Sequence, residues 1–173
     1  NNILDVKKEV SWNDTAELLA KTFWPGPITL ILNRKITSQI SLLASAGLET
    51  IAVRIPRHHI AQTLIEKSGF PIAAPSANES GLLSPTNAQH VMKSLHNRVT
   101  YILDGQATEI GLESTVIDLS REAPAILRPG YITKEQIEKT IKHSVIEKLD
   151  AVSDAKIISP GIITKHYSPN TPL

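Results

Sequence analysis

Two arginines occupy positions where an unpaired charge is costly. Arg54 lies in the apolar run Ile51-Ala52-Val53-Arg54-Ile55, and Arg128 stands between Ala125-Ile126-Leu127 and the turn Pro129-Gly130. A guanidinium among apolar neighbours needs a counter-charge. Its planar fork suits a carboxylate or a phosphate. An anionic ligand would supply the partner of Arg54, and a structural carboxylate such as Glu113 would also serve. Arg128, fixed between a strand and a Pro-Gly turn, is either a ligand-holding arginine or one that covers a strand edge.

Small polar residues cluster in two further places. The stretch Pro71 to Pro85 reads PIAAPSANESGLLSP, in which an apolar run stops at Pro75 and Ser76, Asn78, Ser80, Gly81 and Ser84 follow. The second cluster is Gly111-Leu112-Glu113-Ser114-Thr115. Hydroxyls and an amide offer donors and acceptors without bulk, and small side chains let a ligand approach the backbone. The plainer reading is a polar turn for the first cluster and satisfied strand hydroxyls for Ser114 and Thr115. Taken together, two arginines and several hydroxyls at strand ends suggest a site for an anionic small molecule. In open α/β sheets such sites collect beyond the carboxyl ends of strands.

Other chemistry finds little support. His58-His59 are adjacent at a helix start, point apart in that reading, and are better taken as a surface pair than as metal ligands. The chain has no Walker A loop, no GxGxxG and no HExxH pattern, so a nucleotide would need another architecture. Trp12, Trp24 and the three tyrosines are too scattered for a base-stacking platform.

The elements that must position these residues follow from periodicity. Asn13 or Asp14 caps a helix through Leu19 and Phe23, which ends at Trp24-Pro25-Gly26-Pro27. Ile28 to Leu32 reads as a buried strand. Thr37 or Ser38 begins a short helix through Leu43, with Gly47 as its stop. Thr50 to Ile55 is a β-branched strand, and His59 to Lys67 a helix closed by Gly69. Pro71 to Ala74 and Val99 to Leu103 read as further strands. Thr86 caps the helix between them. Ser114 to Leu119 and Ala125 to Leu127 are strands, and Thr133 to Gln136 has capping-box spacing before Ile137 and Ile141. Alternating strands and helices give an α/β fold with a parallel or mixed sheet. From about Val145 the pattern weakens into a turn-rich arm.

Composition sets the bounds. The chain has 173 residues, with 41% hydrophobic and 20% charged residues, as expected of one globular domain. It has no cysteine, which excludes disulfides and thiolate metal sites. A net charge of +1 gives no support for a bulk electrostatic grip on nucleic acid. The apolar runs are too short for a transmembrane helix, so no membrane partner is expected.

In order along the chain, FWPGPITLIL, TIAVRIP, PIAAPSANESG, SPT, GLESTVIDL and ILRPG resemble the YrdC-like domain of threonylcarbamoyl-adenylate synthases. The resemblance covers about Phe23 to Ile132. Ser159-Pro160-Gly161 with His166-Tyr167-Ser168-Pro169 is similar to the linker of the two-domain, long form. The implied architecture is a YrdC-like twisted mixed β-sheet with flanking helices over residues 1–145, followed by an extended linker over 146–173 toward a further domain. The chain starts with Asn1, and the family's upstream Lys-x-Arg segment has no counterpart in it. A fragment truncated at both ends, with impaired activity, is therefore the expectation.

The resemblance implies synthesis of threonylcarbamoyl-AMP from L-threonine, bicarbonate and ATP, with Mg2+ carried by the phosphates, for threonylcarbamoyladenosine modification of tRNA. It implies that Thr50, Ser76, Ser84 and Arg128 hold ATP, with Asn78 a further contact and Tyr167 closing over the nucleotide. It assigns Arg54, Ser114 and the backbone near Ala74 to threonine. Catalysis would rest on positioning and electrostatics by Arg54 and Arg128, with no covalent nucleophile. A cytoplasmic setting is expected, with a downstream tRNA-modifying transferase complex as partner and tRNA, including its double-stranded regions, met only indirectly or weakly. Two alternatives stand beside this: a non-catalytic RNA-binding YrdC-like module, and a carbamoyl-transfer domain of a larger maturation enzyme.

Overall fold

The computed structural model describes residues 2–147. Helix α1 (Ile3–Glu9) and helix α2 (Asp14–Phe23) come first. The Asn13 side chain accepts from the Ala16 amide at 2.8 Å, which caps α2, and donates to the Leu119 carbonyl at 3.1 Å. One residue thus starts a helix and ties it to the sheet.

Strand β1 (Ile28–Asn33) follows, then a 3-10 turn at Leu42–Ser45, strand β2 (Thr50–Val53) and helix α3 (His59–Ser68). Helix α4 (Ala88–Leu95), strands β3 (Thr115–Asp118) and β4 (Ala125–Arg128), helix α5 (Lys134–Ile141) and the short strand β5 (Ile146–Glu147) complete the order. The described strands form one sheet in the order β2-β1-β3-β4-β5. β1 runs antiparallel to β2 and parallel to β3, while β4 is antiparallel to β3 and parallel to β5. The mixed α/β sheet with flanking helices agrees with the expected class.

The two faces of this sheet differ. Ile28, Leu30 and Leu32 of β1, Ile51 of β2, Ile117 of β3 and Ile126 of β4 point to one side and join a buried cluster with Leu19 and Ala20 of α2 and Ile137 of α5. That side is the core. The alternate residues point to the other face, because side chains alternate along a strand. Thr50, Ala52 and Arg54 lie there along β2, and Thr29, Ile31 and Asn33 along β1. Ile31 and Val116 are buried but belong to this second face, where they form an apolar floor.

Several expectations need correction. Pro71–Ala74 and Val99–Leu103 are not strands; both are irregular, and their side chains are mostly exposed. The run of β-formers is present, but neither segment is paired with the sheet. Without a neighbouring strand, local propensity does not hold an extended segment in place. The short helix expected from Thr37 or Ser38 shrinks to the 3-10 turn capped by Ser41. Asn87, not Thr86, caps α4, by accepting from the His90 amide at 2.9 Å. The sequence reading also passed over α1 and β5. Ile146 and Glu147, at the start of the expected linker, pair with Ala125 and Ile126. Tyr167 and the rest of the expected arm lie outside the described residues.

No residue between 56 and 113 is buried. This region, which carries α3, α4 and the PIAAPSANESGLLSP stretch, adds nothing to the core. It meets the sheet at the candidate site, where Glu113 pairs with Arg128 of β4.

Candidate functional site

The register of the sheet determines what can meet. Leu30 pairs with Val53 and Ile28 with Thr115, so the residue after β2, Arg54, comes level with Thr29, and Ser114 sits just before β3. Val116 pairs with Arg128, which brings the end of β4 to the same edge. Arg54, Thr29, Ser114 and Arg128 therefore gather at one end of the sheet on its second face.

Their contacts confirm the placement. Arg128 donates through Nε and an Nη to the Ser114 carbonyl, at 3.2 and 2.9 Å, and through the same Nη to the Ser114 hydroxyl at 3.1 Å. That hydroxyl also lies 2.9 Å from the Thr29 hydroxyl. The remaining Nη of Arg128 pairs with Glu113 Oε2 at 2.8 Å. Glu113 Oε1 accepts from the Ser84 hydroxyl at 2.5 Å. The chain Ser84, Glu113, Arg128, Ser114, Thr29 is continuous.

Arg54 stands beside it. Its Nε donates to the Gly26 carbonyl at 2.9 Å, and the Gly26 amide donates to the Ile55 carbonyl at 2.9 Å. Gly26 thus grips the end of β2 on both sides of the peptide chain and fixes the start of the Arg54 side chain. The Pro27 carbonyl accepts from the Thr115 amide at 3.0 Å, so the same Trp-Pro-Gly-Pro turn also anchors β3. Desolvation of the Arg54 guanidinium, and next the charge of Arg128, hold its pKa below the ordinary arginine value, while Glu113 opposes the shift. The guanidinium stays charged, since arginine titrates far above neutral pH. The Arg128 charge is the second cause of that shift, and an anion between the two arginines would oppose it.

Of the residues expected at the site, the structure brings Arg54, Ser114, Arg128 and Ser84 together. Thr50 lies on the same face as Arg54, four residues back along β2, so about 13 Å toward the other end of the sheet. Ala74 and Ser76 lie on the exposed irregular segment before Ser84. Asn78 turns its amide inward. Its Nδ2 donates to the Glu79 and Leu82 carbonyls at 2.8 and 3.0 Å, while Oδ1 is buried without a partner. Asn78 thus braces the loop that carries Ser84.

Three outcomes differ from the sequence reading. Glu113 is the ion partner of Arg128 rather than of Arg54. The cluster forms where β2 and β4 end but where β1 and β3 begin, so the carboxyl-end rule of parallel sheets does not describe it; antiparallel pairing mixes the ends. His58 and His59 do not point apart. Their rings stack with centroids 4.9 Å apart, because His58 is the extended residue before α3. Thr29 was missed. Its signal was present, as the sole hydroxyl in the apolar run Ile28 to Leu32.

Gly130 holds the cluster from below. A Cβ there would stand 2.4 Å from the Thr115 nitrogen and 2.5 Å from the Glu113 carbonyl oxygen. Only a residue without a side chain lets the Arg-Pro-Gly turn press this close to Glu113-Ser114-Thr115. Among the described residues, no group of three or more His, Cys, Asp or Glu is gathered to hold a metal. No described helix is long and apolar enough to cross a membrane.

Comparison with known proteins gives this geometry a context. The Sua5/YciO/YrdC family model, described as "Telomere recombination", matches residues 1–130. Threonylcarbamoyl-AMP synthase of Bacillus subtilis is 49% identical over 160 residues, which is 92% of this chain and 46% of that protein. Threonylcarbamoyl-AMP synthase of Pyrococcus abyssi is 47% identical, over 91% of this chain and 46% of its own length. The crystal structure of P. abyssi Sua5 complexed with L-threonine superposes with a TM-score of 0.89 at 43% identity, covering 97% of this chain and 49% of that one. The chain spans about half the length of these relatives.

Proposed function

This chain belongs to the Sua5/YciO/YrdC family, and on that premise we propose that its arginine cluster is the threonine and ATP site of a threonylcarbamoyl-AMP synthase. One observation carries the reading: Arg54, Ser114 and Arg128 converge at one end and on one face of the sheet. That face has an apolar floor and a few directed polar groups, the usual build of a small-molecule site.

The roles follow from charge and reach. The threonine carboxylate goes to Arg54, whose Nε is already fixed on Gly26. The Ser114 hydroxyl and the backbone near Ala74 take the polar groups of the amino acid. Bicarbonate must join the threonine nitrogen as a carbamate, with loss of water, because the product carries a carbamoyl group. A carbamate oxygen then attacks the α-phosphorus of ATP. The bond to the β-phosphate oxygen breaks, and pyrophosphate leaves with the electron pair. In this reading Arg128 stabilises the negative charge growing on the α-phosphate. Thr50, Ser76 and Ser84 hold the rest of the nucleotide, and Asn78 shapes the loop that carries the two serines.

Magnesium would enter with the triphosphate, carried by its oxygens. No protein nucleophile is needed. The chain is in this reading a nucleotidyltransferase that acts by positioning and electrostatics. Its product passes, in the cytoplasm, to a transferase complex that modifies tRNA.

The test is pyrophosphate release from ATP by the full-length protein. Release that requires both threonine and bicarbonate is the expected result. Release indifferent to threonine, or none, rejects the reading.

A further inference from the structure

Among the described residues, Glu113 is the acidic side chain that contacts the cluster directly. Its two carboxylate oxygens are spent on two different elements. One pairs with Arg128 at the end of β4, and the other accepts from Ser84 on the loop before α4. Both partners are groups assigned above to ATP, so this inference rests on that reading. A phosphate would approach the same guanidinium and the same hydroxyl with the same kind of oxygen. The Ser84 hydroxyl has a single hydrogen to donate, and a carboxylate and a phosphate crowded on the same side of the Arg128 guanidinium repel each other.

We propose that the Glu113 carboxylate is a resident competitor for the nucleotide, occupying Arg128 and Ser84 until a phosphate group displaces it. The contact serves two ends. It neutralises part of the charge of two neighbouring arginines while the site is empty. It also tethers the Ser84 loop to the sheet, in a region that buries no side chain of its own. A ligand must then offer more than one strong acceptor to replace both contacts. A polyphosphate meets that demand with more charge and more oxygens than the Glu113 carboxylate brings, whereas a single carboxylate only equals it. Glu113 thereby sets the site's preference for nucleotide at Arg128 and leaves the amino acid to Arg54.

The test is the affinity of full-length Glu113→Gln for ATP and for threonine, measured by calorimetry beside the wild type. Loss of the competing charge should tighten ATP about threefold to tenfold, the scale of a partly exposed ion pair, and change threonine by less than twofold. A purely structural role would weaken both ligands, so the sign of the change discriminates. Glu113→Ala should tighten ATP as well and decides the matter if the Gln variant does not fold. Unchanged or weaker ATP binding in the variants, with wild-type ATP binding intact, overturns the competitor role alone. Weaker binding of the magnesium complex would give Glu113 to the ion instead and also overturns it. If wild type and variants all fail to bind ATP, the nucleotide reading falls and this inference falls with it.

Discussion

Gly130 and Thr115 approach so closely that a β-carbon on Gly130 would lie 2.4 Å from the Thr115 amide nitrogen. That amide donates to the Pro27 carbonyl, and the Thr115 hydroxyl donates to the Ile132 carbonyl at 2.6 Å in a buried setting. The backbone on both sides is therefore fixed and has little room to yield. Gly130→Ala is expected to cost about 1–3 kcal/mol of stability, the usual scale of overpacking. Because the shift falls on Glu113-Ser114-Thr115, binding of both threonine and ATP should weaken. Urea unfolding and calorimetry check the two halves of this prediction. Wild-type stability and affinity in the variant would show that the turn is free to move.

Helix α5 is anchored by few apolar residues. Its sequence, Lys-Glu-Gln-Ile-Glu-Lys-Thr-Ile, is otherwise polar, and Ile137 is fully buried against the core that includes α2. Ile137→Ala should destabilise the fold by about 2–5 kcal/mol. The midpoint of urea unfolding should fall with an unchanged slope. A loss under about 1 kcal/mol would mean that the helix contributes little to the core.

Acid should loosen the junction of α1 and α2. Glu17 accepts from the Trp12 indole at 2.7 Å and pairs with Lys7 at 2.8 Å and Lys21 at 3.0 Å. Lys7 first, then Trp12 and Lys21, hold its carboxyl at about 2, below the ordinary 4.5. A depressed pKa means that the folded state binds the proton less readily than the unfolded state. The stabilisation is thus complete above pH about 4.5 and is lost as pH falls toward about 2. Glu17→Gln should flatten this part of the acid limb in a series of thermal melts. An acid limb identical to that of the wild type would remove Glu17 from the account.

How much of this was legible in the sequence depends on whether the signal was local. Asn13 as a cap, the capping box at Thr133 and Gln136, and the strands at β1, β2, β3 and β4 all follow from neighbouring residues, and the structure contains them. Arg54 and Arg128 were visible because a charge interrupts or ends an apolar run. What could not be read was pairing. Pro71–Ala74 and Val99–Leu103 have strand composition but no partner strand among the described residues, and composition alone does not reveal that. The same limit hid the choice made by Glu113. Which arginine it meets depends on the antiparallel register of β3 and β4, a property of two segments at once. Thr29 looked like one more residue of a buried strand until the register set it beside Ser114.

The central claim is that one end of the sheet holds an amino acid at Arg54 and a nucleotide at Arg128. The most direct measurement is the binding of each ligand to full-length Arg54→Ala and Arg128→Ala. Loss of a charge-assisted, forked contact is worth about 1.5–3 kcal/mol, or roughly 10- to 150-fold in affinity. The account predicts a crossed pattern, in which Arg54→Ala loses threonine and largely keeps ATP, while Arg128→Ala loses ATP and largely keeps threonine. Equal losses of both ligands in both variants, or no loss in either, would contradict it.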